Sequence, residues 1–190
     1  MYKANIYVKP RYGKMLVYRG KNSNGEAINE SFDRVSGIIK EISIRESEWN
    51  GEQIKSWNIK IVDGEETYIL TLGYSNGFTR GFFNSLISAD LSKTIKFGCY
   101  VKNEYNCPSL IQNEGIVRWK YGVDQMPKTE KVKIGTKEVI DDTKAVEWML
   151  KVVDEIQANI KNFEAVEIFG GEEVKKTEEF KSEESDILPF

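Results

Sequence analysis

Alternating hydrophobic and polar residues run through most of the first 122 positions and predict a succession of β-strands. The predicted strands span residues 35–46, 52–62, 66–74, 94–105 and 115–122. Turns at Asn50-Gly51 and Asp63-Gly64 join the first three, because Asn-Gly and Asp-Gly pairs favour tight hairpin loops. Residues 5–10 and 14–20 predict a further hairpin at the edge of the sheet.

Two other segments repeat their hydrophobic residues every three or four positions, which is the period of an amphipathic helix. The first spans residues 78–91 and the second spans residues 142–163. Asp141 and Asp142 suit the start of the second helix, where a carboxylate caps free N–H groups and opposes the helix dipole. This helix packs either on the sheet or on a second subunit, so the pattern leaves a homo-oligomer open.

The order of three strands, a helix and two strands is typical of an OB-fold, a small five-stranded Greek-key barrel. We therefore predict a mainly β, α+β fold. It consists of an OB-fold-like barrel with an added N-terminal hairpin, one helix between strands 3 and 4, and a long C-terminal helix. A generic antiparallel α+β sheet would give a similar order of elements, and a fold alone does not determine function.

The composition narrows the class of protein. The chain has 190 residues, of which 40% are hydrophobic, and this is enough for the core of one domain. It contains no run of the roughly 20 apolar residues that a membrane helix needs. Its first residues lack the pattern of a secretory signal. We therefore expect a cytoplasmic protein without membrane contact.

The absence of histidine limits the available chemistry. It removes the commonest general base and the commonest metal ligand. Cys99 and Cys107 lack the spacing of metal ligands. A carboxylate-metal nuclease is an alternative, but acids such as Asp33, Glu41 and Asp63 follow no motif. We therefore expect a protein that is not an enzyme and that uses neither a metal nor another cofactor.

The negative charge is concentrated at the C-terminus. Residues 171–190 contain seven acids and three lysines, a net charge of −4; the whole chain carries −3, so residues 1–170 carry +1. Gly170-Gly171 separates the two parts. The acidic part has few large apolar residues and no sustained periodicity. We predict one domain at residues 1–170 and a disordered acidic tail at residues 171–190.

The predicted strands bring cations and aromatic rings together, because alternate residues of a strand share a face. On the strand at 94–105, the residues expected to face the core are Ile95, Phe97, Cys99 and Val101. Lys96, Tyr100 and Lys102 fall on the opposite face. Such mixtures hold single-stranded nucleic acid, since cations follow its backbone and aromatic rings stack on its bases.

The candidate binding residues are Trp49, Lys55, Trp57, Lys60, Lys96, Tyr100, Lys102, Arg118, Trp119 and Lys120. A position in the core is the alternative for Trp57 and Trp119. If the inward and outward faces of these strands are the opposite of those assigned here, Trp119 and Tyr121 replace Tyr100 as the stacking residues.

The last residues, EESDILPF, carry a more specific signal. The segment resembles the C-terminus of single-stranded DNA-binding proteins of bacteria and their phages, in which an acidic stretch ends in Asp-Asp-Asp-Ile-Pro-Phe. The matching or adjacent residues are Glu183, Glu184, Asp186, Ile187, Leu188, Pro189 and Phe190. Leu188 is inserted relative to that pattern, and Ser185 interrupts the acids.

This resemblance implies a protein that coats single-stranded DNA during replication or recombination, without strong sequence preference. The tail would recruit partner proteins of those processes by placing the Phe190 ring in an apolar pocket and its carboxylate on a basic rim. A phage-encoded protein working in the host cytoplasm fits the diverged pattern best. The alternative is a protein-interaction or virion-associated β-barrel module that does not bind DNA.

Overall fold

A computed structural model describes residues 5–169, without the side chains of residues 134, 137 and 164–169. Its strands are β1 (Ile6–Arg11), β2 (Lys14–Lys21), β3 (Ala27–Phe32), β4 (Arg34–Trp49), β5 (Glu52–Asp63), β6 (Glu66–Gly73), β7 (Ile95–Lys102), β8 (Tyr105–Gln112), β9 (Gly115–Ile116), β10 (Glu130–Ile134) and β11 (Lys137–Asp141). Its helices are α1 (Gly77–Leu86) and α2 (Thr143–Phe169). The fold is therefore mainly β and belongs to the α+β class.

Nine of the strands form one mixed sheet in the order β3-β2-β1-β6-β5-β4-β7-β8-β9. The β1–β6 pair is parallel and the other pairs are antiparallel. β10 and β11 pair only with each other. The predicted barrel is not confirmed, because the sheet is open with β3 and β9 at its ends. To close the predicted barrel, another strand would have to pair with the outer edge of β6. β1 already pairs with that edge.

Strand β4 changes partners along its length. Residues 34–37 pair with β7, whereas the pairs from Ile38 onward join β4 to β5. Gly37 lies at the change, with a φ of +149°. A Cβ atom there would lie 2.6 Å from both Ile61 Cγ2 and the Val62 carbonyl oxygen. The partner change therefore requires glycine, both for the backbone conformation and for the close approach of β5.

The core lies between the sheet and the two helices. Trp57 of β5 is 1% exposed, stacks on Tyr74 and meets Phe83 of α1 edge to face. Among the side chains of α2 that the structure describes, the buried ones are Ala145, Met149, Val152, Val153, Ile156 and Ile160. Gln157 Nε2 donates a hydrogen bond to the Ile42 carbonyl oxygen and so joins α2 to β4. The long helix thus packs on its own chain.

Several elements differ from the sequence prediction. The N-terminal hairpin forms as β1–β2, but β1 lies inside the sheet and β3 extends it outward. The last predicted strand, at 115–122, is reduced to Gly115–Ile116, and β8 takes its place beside β7. The C-terminal helix begins at Thr143, as expected, and extends to Phe169. The predicted tail, residues 171–190, lies outside the described residues.

Candidate functional site

A cleft opens where β1 separates from β6. The parallel pairing of these strands ends at Val8 and Leu70, although β1 continues to Arg11 and β6 to Gly73. Pro10 has no N–H group to continue the pairing. The separated ends form one side of the cleft, through Lys9, Pro10, Thr71, Leu72 and Gly73.

Strands β7 and β8 and the segment after β9 form the other side, and the enclosed volume is about 1180 Å³. The β1–β2 turn joins the two sides, because Gly13 N donates to Asn106 Oδ1 at 3.0 Å and Cys99 Sγ donates to the Lys14 carbonyl oxygen at 3.1 Å. Burial raises the pKa of the Cys99 thiol, so this group stays protonated as a donor. The cleft is thus held open by strands that are fixed to each other.

Aromatic rings line this cleft. Tyr100, Tyr105 and Trp119 are 49%, 75% and 46% exposed, and Phe78 adds a half-buried ring. Trp119 lies over Gly81 of α1, where a Cβ atom would come within 3.3 Å of its Cζ2 atom. Large rings that are fixed at the base and open to solvent can stack on a planar ligand.

The charged side chains of the lining are mostly positive. Lys9, Arg34, Lys102 and Arg118 line the cleft together with one carboxylate, Asp33. Lys14 hydrogen-bonds to Asp33 and holds the pKa of that carboxyl below its ordinary value, so the acid is ionised and already paired. Within the described part of the chain, none of the four cations forms an ion pair. They remain available to an anionic ligand.

Asn84 fixes the segment that carries Arg118 and Trp119. This fully buried side chain of α1 accepts a hydrogen bond from Tyr121 N and donates one to the Tyr121 carbonyl oxygen, both at 2.9 Å. The backbone carbonyl oxygen of Asn84 accepts a hydrogen bond from Lys120 N at 3.0 Å. The residues before Tyr121 therefore have a defined position although they form no strand.

Four of the predicted binding residues meet in the cleft: Tyr100, Lys102, Arg118 and Trp119. Lys96 is exposed on the same strand but is not part of the lining. The expected burial of Ile95, Phe97 and Cys99 is confirmed, whereas Val101 is exposed because β7 leaves the core at this end.

The other predicted residues lie elsewhere. Trp57 is a core residue whose Nε1 donates to the Tyr74 carbonyl oxygen at 2.9 Å, so we remove it from the candidate surface. Trp49 and Lys55 lie on the projecting β4–β5 hairpin, where Lys55 pairs with Glu46 at 2.8 Å. Lys60 borders a small polar pocket beside Tyr7.

Lys120 is also outside the cleft and already has a partner. It forms an ion pair with Glu155 of α2, and this hydrogen bond raises the pKa of the lysine. Its ammonium group also lies 5.5 Å from the centre of the Tyr121 ring. Lys120 therefore anchors the segment after β9 to α2.

Sequence reasoning missed Lys9, Arg34, Phe78 and Tyr105. Tyr105 follows Tyr100 on the opposite side of the β7–β8 turn, where Asn103 and Glu104 both have positive φ. That turn was detectable from its Lys-Asn-Glu sequence. Lys9 and Arg34 gave no local signal, because their place depends on pairing with distant strands.

Among residues 5–169, no three His, Cys, Asp or Glu side chains come together in a way that could hold a metal ion. In the same part of the chain, neither helix is long and apolar enough to cross a lipid bilayer.

The predicted docking residues, Glu183 to Phe190, lie outside the described residues. No protein-family model, no curated protein and no solved structure matches this chain.

Proposed function

We propose that the protein binds single-stranded DNA in the cleft between the β1–β6 ends and β7–β8. The observation that carries this proposal is the combination of three exposed aromatic rings with four cations that have no ion-pair partner among residues 5–169, all along one cleft. Such a site can neutralise phosphates with its cations while its rings stack on bases. Neither the rings alone nor the cations alone would distinguish single-stranded DNA from a peptide or a simple anion.

The cleft favours unpaired strands over duplex DNA, because stacking on a protein ring requires a free base face. Stacking also tolerates every base, since each base has a π-face. We therefore propose binding without strong sequence preference. The cations and rings of the cleft disfavour the alternative of a protein-interaction module. A groove of that kind would be expected to lack clustered cations and exposed rings.

We further propose that β4, β5, β6, α1, β7 and β8 form an opened OB-like unit. Their order along the chain supports this, and so does β4, which pairs in turn with β7 and β5. The N-terminal hairpin would then occupy the gap through which the barrel would close. OB-folds bind oligonucleotides along strands 2 and 3 and the loop between strands 4 and 5. In this chain β6 and the β7–β8 turn border the cleft.

Titration with oligothymidylate tests the proposal directly. We expect tryptophan fluorescence to be quenched, because Trp119 lies in the cleft and stacking on a base quenches indole emission. If all four cations neutralise phosphates, the slope of log affinity against log salt should be about −3, at roughly −0.7 per phosphate for single strands. The matched duplex should bind more weakly.

Replacing Trp119 by phenylalanine should remove most of the quenching while retaining most of the affinity, since a stacking ring remains. Absence of both quenching and a gel shift at low salt would refute single-strand binding. Quenching that persists fully in this variant would place the DNA near another tryptophan.

We also propose that residues 183–190 recruit replication or recombination proteins, on the basis of the resemblance in sequence. The upstream acids would compete with DNA for the cleft, because the covalent link keeps their effective concentration high. Truncation after residue 170 should therefore tighten oligothymidylate binding several-fold at low salt, and the difference should fade as salt screens the charges.

Deletion of Phe190 alone separates the two roles of this segment. It leaves the acids unchanged, so the DNA affinity should stay the same. It removes the docking ring, so capture of replication proteins from an extract should fall at least tenfold. Equal capture by the full chain and by the Phe190 deletion would contradict docking. Equal DNA affinity of the full chain and of the chain truncated after residue 170 would contradict competition.

A further inference from the structure

A second, smaller pocket lies next to the cleft. Its volume is about 310 Å³, and its walls come from α1 and the segment between β9 and β10. Trp119 and Gly77 border both the pocket and the cleft. The two spaces are therefore neighbours, with the Trp119 ring at their boundary.

The pocket has a fixed wall. Arg80 Nη1 donates to the Pro127 carbonyl oxygen at 3.0 Å, which ties the end of this wall to α1. Asn84 Nδ2 also donates to Met126 Sδ at 3.2 Å, in addition to the two hydrogen bonds that join the Asn84 side chain to the Tyr121 backbone. The same buried amide thus positions both Trp119 in the cleft and Met126 in the pocket.

The lining combines cations with apolar surface, as the cleft does. Arg80 and Lys128 are its charged residues, and Val123, Met126 and Trp119 supply apolar atoms. No carboxylate belongs to this lining among the described residues, and neither cation forms an ion pair there. The guanidinium of Arg80 uses one nitrogen for Pro127 and keeps donors for a ligand.

We infer that this pocket is a second nucleotide subsite, which extends the path of the bound strand past Trp119. This inference rests on the proposed function. A strand leaving the cleft would carry a base into contact with Met126 and Val123 and a phosphate to Arg80 and Lys128. Trp119 would then stand between two occupied segments of the strand. The protein would contact more nucleotides than the cleft alone accommodates.

Dependence on strand length tests this inference. The probes are oligothymidylates spanning about 4 to about 16 nucleotides, the range of site sizes for OB-folds. For the full chain, affinity should increase with length while the oligonucleotide fills the cleft. It should increase a second time once the oligonucleotide is long enough to enter the pocket. In Lys128→Ala, the affinity for long oligonucleotides should fall about fivefold, whereas that for the shortest ones that bind should be unchanged. The salt slope should decrease by about 0.7, for long oligonucleotides only.

Lys151→Ala is the matched control, since Lys151 is an exposed residue of α2 that lines neither space. It should behave like the unchanged chain at every length. The inference is overturned if Lys128→Ala has no effect at any length, or an equal effect at all lengths. If the unchanged chain binds none of the oligonucleotides, the proposed function itself fails, which is a different result.

Discussion

Replacing Tyr100 and Trp119 together by alanine should lower the affinity for oligothymidylate by about thirtyfold or more. Stacking contributes roughly 1–3 kcal/mol per base by alanine substitution, so two rings account for at least about 2 kcal/mol. Both rings are half exposed in the cleft, and their removal leaves no core cavity. The melting temperature should therefore change little. Equilibrium titration at fixed salt, combined with thermal unfolding, measures both quantities.

Trp49→Ala provides the matched control for this double variant. Trp49 is 68% exposed and lies at the end of the β4–β5 hairpin, outside the cleft. Its removal should leave the affinity within about twofold. If Trp49→Ala weakens binding as much as the double variant does, the strand binds along the hairpin and the cleft is the wrong site.

Gly37→Ala should lower the free energy of unfolding by about 3 kcal/mol. The added methyl group would meet Ile61 and the Val62 carbonyl oxygen at 2.6 Å, and the φ of +149° is unfavourable for alanine. Overpacking costs roughly 1–3 kcal/mol, and an incompatible backbone adds about 1 kcal/mol or more. For a chain of this size the melting temperature should fall by about 6–12 °C.

Gly20→Ala separates the two causes of that loss. Gly20 also has a positive φ, +124°, but a Cβ atom there would meet nothing within 4 Å. Its substitution should cost only the backbone term. If both variants lose the same stability, the close approach of β5 to Gly37 contributes nothing. Urea denaturation of the two variants provides the comparison.

Local patterns predicted the elements whose signals are contained in a few neighbouring residues. The Asn50-Gly51 turn has the two positive φ values, 53° and 80°, that its sequence favours. The hydrophobic residues that recur every three or four positions over 142–163 predicted α2, because a helix that packs on a core buries residues at that spacing. β8 was missed because Pro108 breaks a strand pattern, and proline is tolerated there since β9 pairs with only two residues of β8.

The sequence by itself determined most strands, both helices and the outward side of β7, because each depends on contacts between near neighbours. Only the tertiary structure decided which outward residues meet. Insertion of β1 beside β6 keeps the sheet from closing in the predicted order and brings Lys9 to the cleft. Folding of the segment after β9 onto Asn84 brings Trp119 there, while Trp57 is buried. Pairing between distant segments depends on the free energy of the whole packed arrangement, which no local pattern of residues encodes.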